Sequence, residues 1–178
     1  MLTSGILKLG LAIVPAGEGH MGSFVSFIPT PFEEIDTFFE LAPVSSGDVV
    51  YDLGSGDGRL LFAALEKGAG RVVGIELNAA RVREAEEMAR GKGLEARATF
   101  VNADIMDVNL ADATLVVCYL YSTASTALKP KFEQELKPAA RVVMESFPVH
   151  GWKPIGIKKL PQRTFYLYQM PPEIDPRY

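Results

Sequence analysis

Residues 49–58 read Val-Val-Tyr-Asp-Leu-Gly-Ser-Gly-Asp-Gly, an apolar strand that runs straight into a glycine-rich turn. A strand that is apolar throughout is buried on both faces, as in a parallel sheet covered by helices. Working outward, the same alternation recurs. A helix is predicted from Arg59 to Lys67, a strand at Arg71–Glu76, and a helix at Ala79–Arg90 that stops at Gly91 and Gly93. Strands follow at Ala98–Asn102, Thr114–Leu120 and Arg141–Phe147, with a helical stretch between the last two. Ile155–Leu160 and Thr164–Met170 form an expected antiparallel pair around Pro161-Gln162. Upstream, Thr30-Pro31-x-Glu33 predicts a helix over Phe32–Leu41, with Thr30 as N-cap, Pro31 at the first helical position and Glu33 closing a capping box. The expected fold is α/β and doubly wound, with a mostly parallel seven-stranded sheet and a C-terminal antiparallel strand pair.

Composition narrows the class. The chain has 178 residues, 48% hydrophobic and 22% charged, enough for one well-buried core and too apolar for a disordered chain. No uncharged apolar run reaches the roughly 18 residues of a spanning helix. Cys118 is the single cysteine and His20 and His150 the two histidines, so neither an internal disulfide nor a structural zinc site is expected. That pattern suits a reducing, cytoplasmic setting. A net charge of −4 lacks the basic excess of a nonspecific nucleic-acid binder. Residues 1–23 are set apart as a leader of uncertain origin, since Gly19-His20-Met21-Gly22-Ser23 resembles a cloning junction. Its apolar run Ile6–Val14 could support an oligomer. Residues 24–178 are read as a single domain.

A glycine loop after the first strand lies at the carboxyl edge of the sheet, where open α/β folds bind ligands. Gly54, Gly56 and Gly58 let the backbone lie close beneath a nucleoside-like molecule. Their spacing is G-x-G-x-G, not the G-x-G-x-x-G of dinucleotide binders, and Asp52 and Asp57 would repel a pyrophosphate. S-adenosylmethionine, with an ammonium, a sulfonium and no phosphate, fits better. Glu76, at the end of the second strand, can accept both ribose hydroxyls. Asp104 can accept from an adenine amino group, with Ile105 against the ring. The candidate cofactor contacts on these strands and loops are Asp52, Gly54, Ser55, Gly56, Asp57, Gly58, Glu76, Leu77, Asn78, Asn102, Ala103, Asp104, Ile105 and Tyr119.

From about Phe27 to Trp152 the sequence resembles a class I S-adenosylmethionine-dependent methyltransferase. Within that superfamily it is most similar to small archaeal protein-lysine methyltransferases and their mitochondrial lysine-methylating relatives. The segments that carry the resemblance are Phe27-Ile-Pro-Thr-Pro31, Tyr51 through Arg59, Val73-Gly-Ile-Glu-Leu-Asn78, Leu128-Lys-Pro-Lys131 with Glu133 and Leu136, and Arg141-Val-Val through Gly151-Trp152. The resemblance implies N-methylation of lysine side chains, with the entry segment, and Thr30 in it as a further candidate cofactor contact, helping to cover the cofactor. An accessible, basic protein segment is the expected partner.

The chemistry needs an aligned, uncharged amine in a water-poor channel. Tyr119 and Tyr121, at the exit of the fourth strand, are the candidates to line that channel. The exit reads Cys118-Tyr-Leu-Tyr121, without the Asn/Asp-Pro-Pro-Tyr of adenine-type base methyltransferases. Cys118 follows Val117, not the proline of cytosine-C5 enzymes, and reads as a small buried hydrophobe. The alternatives are an RNA or small-molecule methyltransferase on the same core, or a catalytically silent protein that binds the cofactor and stabilises another chain.

Overall fold

The computed structural model describes residues 30–120 and 122–177. In chain order the elements are α1 (Phe32–Leu41), β1 (Val49–Leu53), α2 (Arg59–Glu66), β2 (Arg71–Glu76), α3 (Ala79–Gly91), β3 (Ala98–Asn102) and β4 (Leu115–Cys118). They continue with α4 (Ser122–Glu135), β5 (Arg141–Glu145), β6 (Trp152–Lys153), β7 (Gly156–Lys159), β8 (Thr164–Gln169) and β9 (Glu173–Ile174). One seven-stranded sheet runs β3-β2-β1-β4-β5-β8-β7. Its first five strands are parallel; β8 pairs antiparallel with β5, and β7 antiparallel with β8. The chain steps outward from β1 to β3, then returns to lay β4 on the other side of β1. The crevice for a ligand is therefore at the carboxyl ends of β1 and β4.

Alternation along each strand divides the apolar core between the two faces. Val50, Val72, Leu115, Val117 and Val143 pack with Phe38, Leu61 and Val82 from α1, α2 and α3. Their neighbours Tyr51, Val73, Val116, Cys118, Val142 and Met144 pack on the opposite face with Leu128 and Phe132 of α4 and with Trp152 and Tyr168. The doubly wound, mostly parallel sheet with its antiparallel pair is thus the fold that the sequence predicts. Trp152 is fully buried and its Nε1 donates to Glu133 Oε1 at 3.1 Å, which makes it a packing residue.

Some boundaries differ. Pro31, not Thr30, is the N-cap of α1, in an extended conformation (φ −55°, ψ 141°) and without a side-chain cap bond. The helix itself spans Phe32–Leu41 as expected; the cap differs because Pro31 stays extended while its carbonyl already accepts from Glu34 N. β4 stops at Cys118 rather than Leu120. β5 stops at Glu145 because Ser146 turns the chain with φ 65°, instead of continuing to Phe147. The small antiparallel sheet of β6 and β9 is an addition that the sequence pattern did not contain. The leader lies outside the described residues, as does the side chain of Glu33 on which the capping box depends.

Candidate active site

The turn after β1 is fastened to the end of β2. Gly54 N and Ser55 N both donate to Ile75 O, at 2.8 and 3.0 Å. One residue further, Gly56 N donates to Glu76 Oε2 at 3.0 Å, and Asn78 N donates to Glu76 Oε1 at 2.8 Å. A single buried carboxylate therefore bridges the glycine loop and the start of α3, while the second lone pair of each oxygen stays available to a ligand hydroxyl. Arg81 lies 3.8 Å from the same carboxylate. Asn78 caps α3, its Oδ1 accepting from Ala80 N and Arg81 N. Asn102 Nδ2 donates to the carbonyls of Glu76 and Leu77, and Ala103 N donates to Glu76 O. Asp104 Oδ1 accepts from Met106 N, leaving Oδ2 for another donor, and Ile105 is half-buried against the core. Leu77 is 53% exposed beside Glu76, an apolar side chain at the surface.

Glycine is required at two positions for different reasons. Gly58 caps α2 at φ 78°, and a Cβ there would lie 2.7 Å from Phe100 Cε1. Gly74 sits in the middle of β2, where a Cβ would come within 2.6 Å of Ser55 Oγ, 2.7 Å of Phe100 Cδ1 and 2.9 Å of Leu61 Cδ1. That contact also shows where Ser55 points: its hydroxyl is buried over Gly74, so only its backbone faces the loop's ligand side. Gly74→Ala is expected to destabilise the fold by about 2–3 kcal/mol, because the loop and the aromatic ring must move to admit one methyl. Urea unfolding at constant m-value measures it, and a change below about 0.5 kcal/mol would contradict the close packing.

The two loop acids have opposite surroundings. Asp52 is buried at the end of β1, its carboxyl hydrogen-bonded to no described residue. Burial, reinforced by the charges of Glu76, Asp57 and Glu145, pushes it up to about 8. Burial acts on Asp57 as well, yet the hydrogen bonds and charge of Arg59 outweigh it and hold the carboxyl below the usual range. Arg59 grips Asp57 through Nε at 3.0 Å and Nη2 at 2.6 Å, and its Nη1 donates to Thr30 O at 3.2 Å. The repulsion expected between Asp57 and a phosphate is therefore largely compensated. Against a dinucleotide, the loop spacing remains. The same guanidinium ties Thr30 of the entry segment to the loop.

At the neighbouring strand ends, Arg163 lies over the Tyr119 ring at 4.8 Å and is ion-paired with Glu145 and Glu34. The sequence reading missed Gly74, Glu145 and Arg163. A glycine inside an apolar strand marks close backbone approach and could have exposed the first. A lone acid ending the apolar run Arg141-Val-Val-Met-Glu145 hints at the second. Arg163 comes from a turn some twenty residues later and carries no local signal. Tyr121 lies outside the described residues.

Known proteins resemble this chain in sequence and in fold. Residues 52–156, more than half of the chain, match the model of the ANTKMT methyltransferase domain. The chain belongs to that family. It is an enzyme, a methyltransferase with S-adenosylmethionine as its cofactor. It is 39% identical over 149 residues to a protein-lysine N-methyltransferase of Saccharolobus islandicus, covering 81% of this chain and 92% of that one. It is 32% identical over 133 residues to the adenine nucleotide translocase lysine N-methyltransferase of Mus musculus, covering 75% of this chain and 58% of the mouse protein. The chain thus spans little more than half the length of this mammalian relative. Among solved structures, an RNA methyltransferase from Salinibacter ruber in complex with S-adenosyl-L-homocysteine superposes with a TM-score of 0.79 at 34% identity, covering 83% of this chain and 97% of that one.

Proposed function

We propose that this ANTKMT-family methyltransferase transfers methyl groups to lysine side chains of proteins. The observation that carries the reading is the excess of buried acid at the carboxyl edge of the sheet. Asp52 has no hydrogen-bond partner among the described residues, and Glu34 and Glu145 share one guanidinium. Such a site favours cations on both sides of the reaction. The near full-length likeness to an archaeal protein-lysine N-methyltransferase supports it.

The residues fit S-adenosylmethionine. Asp52 faces a need for positive charge, Glu76 retains acceptors for two hydroxyls, Leu77 offers an apolar platform for a base, and Asp104 keeps one acceptor oxygen. Gly54, Gly56 and Gly58 would contribute backbone, as would Ser55, Ala103 and Ile105. Asn78 and Asn102 would hold the loops in place, and Thr30 would close the entry side. When bound, the cofactor supplies a methyl group on a sulfonium, with a neutral thioether as leaving group. The chain's task is then to exclude water, align the amine and remove its proton. Tyr119, and Tyr121 by the sequence argument, would line the channel.

On this reading residues 24–178 form one methyltransferase domain that acts in the cytoplasm on a basic protein segment, and the leader supports any oligomer. No helix among the described residues is long and apolar enough to cross a membrane. The Salinibacter structure favours RNA as a second reading. Labelled methyl transfer from S-adenosylmethionine into an undigested cell extract separates the two. Label released by protease and recovered as methyl-lysine is the expected result; label released by nuclease would overturn it.

A further inference from the structure

Glu145 occupies a place in the fold that the cofactor site does not use. It is the last residue of β5, and the register pairs Cys118 of β4 with Met144, so Tyr119 and Glu145 are the next residues along the two strands. Both stand at the sheet edge that carries Asp52 and the glycine loop. Glu145 is completely buried. Its Oε1 is ion-paired with Arg163, but its Oε2 is buried with no hydrogen-bond partner among the described residues. An orphaned buried acceptor lowers the stability of the free protein, a cost that a partner bound during function would offset.

The surroundings define what that something is. Facing Glu145 are Glu34 from α1, 2.9 Å from Arg163 Nε, and Arg163 itself from the turn before β8. Tyr119 lies under the guanidinium, and Asp52 is near enough on β1 to feel the Glu145 charge. Two carboxyl groups, Glu34 and Glu145, share the one guanidinium of Arg163. The group that Oε2 lacks is a hydrogen-bond donor, and positive charge suits the acids around it; a slender apolar stem ending in an ammonium is the side chain that carries both.

We propose that Glu145 Oε2 receives the ammonium of the substrate lysine and takes a proton from it, with Arg163 as the positioning residue that fixes the carboxylate. The Nζ–H bond breaks, its electron pair stays on nitrogen, and the proton goes to Oε2. The neutral amine then bonds to the methyl carbon while the carbon–sulfur pair remains on sulfur; the products are a methylammonium and a neutral thioether, and Glu145 later returns its proton to water. Burial of Glu145, opposed by Arg163 and assisted by Glu34, brings the carboxyl up to about 7, a range in which it can take and release a proton near neutrality. This rests on the lysine reading above.

The test uses the full chain, labelled S-adenosylmethionine and the protein fraction of a nuclease-treated extract. Glu145→Gln is expected to bind S-adenosylmethionine within about twofold of wild type by calorimetry while its initial rate at pH 7 falls about 100-fold or more. Its rate should then rise about tenfold per pH unit up to about pH 9, as free amine becomes available without the enzyme's help. Wild type should instead level off above an inflection near 7. Glu145→Asp, which keeps the acid and shortens its reach, should keep the inflection and lose about tenfold in rate. Should the glutamine variant fail to fold, the aspartate variant at full wild-type rate overturns the proposal. So does a glutamine variant with the wild-type pH profile, whatever its absolute rate. In the undigested extract, wild-type label found in nucleic acid alone would fail the lysine reading and this inference with it, before any variant is made.

Discussion

Glu76→Ala is expected to lower the affinity for S-adenosylmethionine by about 100-fold or more. The carboxylate does two things at once. It accepts from Gly56 N and from Asn78 N, which holds the glycine loop and the first turn of α3 at a set separation, and on the proposed reading its remaining lone pairs would accept from the ribose hydroxyls. Each hydrogen bond to a charged acceptor is worth about 1.5–3 kcal/mol, so losing two ligand contacts gives at least about 3 kcal/mol, or two decades. The orphaned Gly56 N–H adds a stability loss of about 1 kcal/mol. Glu76→Gln keeps one carbonyl acceptor and should fall between wild type and alanine. Calorimetry measures both, and an alanine variant within about fivefold of wild type would remove Glu76 from the site.

Asp52→Asn is expected to trade function for stability. The carboxyl of Asp52 is pushed up to about 8 by burial and by neighbouring acids, whereas in the unfolded chain it titrates near 4. The sign follows from proton counting. Between about pH 4 and 8 the folded state holds a proton that the unfolded state has lost, so stability falls as pH rises through that window. The asparagine variant lacks this loss, so its advantage over wild type should be absent near pH 4 and grow by roughly 1.4 kcal/mol per pH unit, to at most about 5 kcal/mol above pH 8. A cationic ligand needs the opposite, an ionised Asp52. Binding of S-adenosylmethionine to wild type below pH 8 should therefore release a proton, and the dissociation constant should rise about tenfold between pH 7 and pH 6. Buffers of different ionisation enthalpy expose the proton in calorimetry. The asparagine variant should bind at least about 30-fold more weakly and release none. Equal heats in all buffers for wild type would show that Asp52 does not ionise on binding.

Arg163 shows where sequence reasoning stopped. It is brought to Glu145 by the β5–β8 pairing and to Glu34 by the packing of α1 on the sheet, and no local spacing encodes either contact. Asp57 makes the same point in reverse. In the sequence it is an acid between two glycines; in the fold Arg59 neutralises it and ties Thr30 to the loop. Gly74 was readable in principle, since a strand interior rarely places a glycine between Val73 and Ile75 without a steric reason.

By contrast the sheet, its winding and the positions of Asp52, Glu76, Asn102 and Asp104 at successive strand ends could be read directly from the chain. Hydrophobic periodicity and glycine placement act over a few residues, and the right-handed crossover leaves little freedom in how such units stack. Which acids are buried, which are paired and which keep an unpartnered oxygen was decided only by tertiary structure. Those properties depend on burial and on partners far away in sequence, and an unfolded chain in water offers neither.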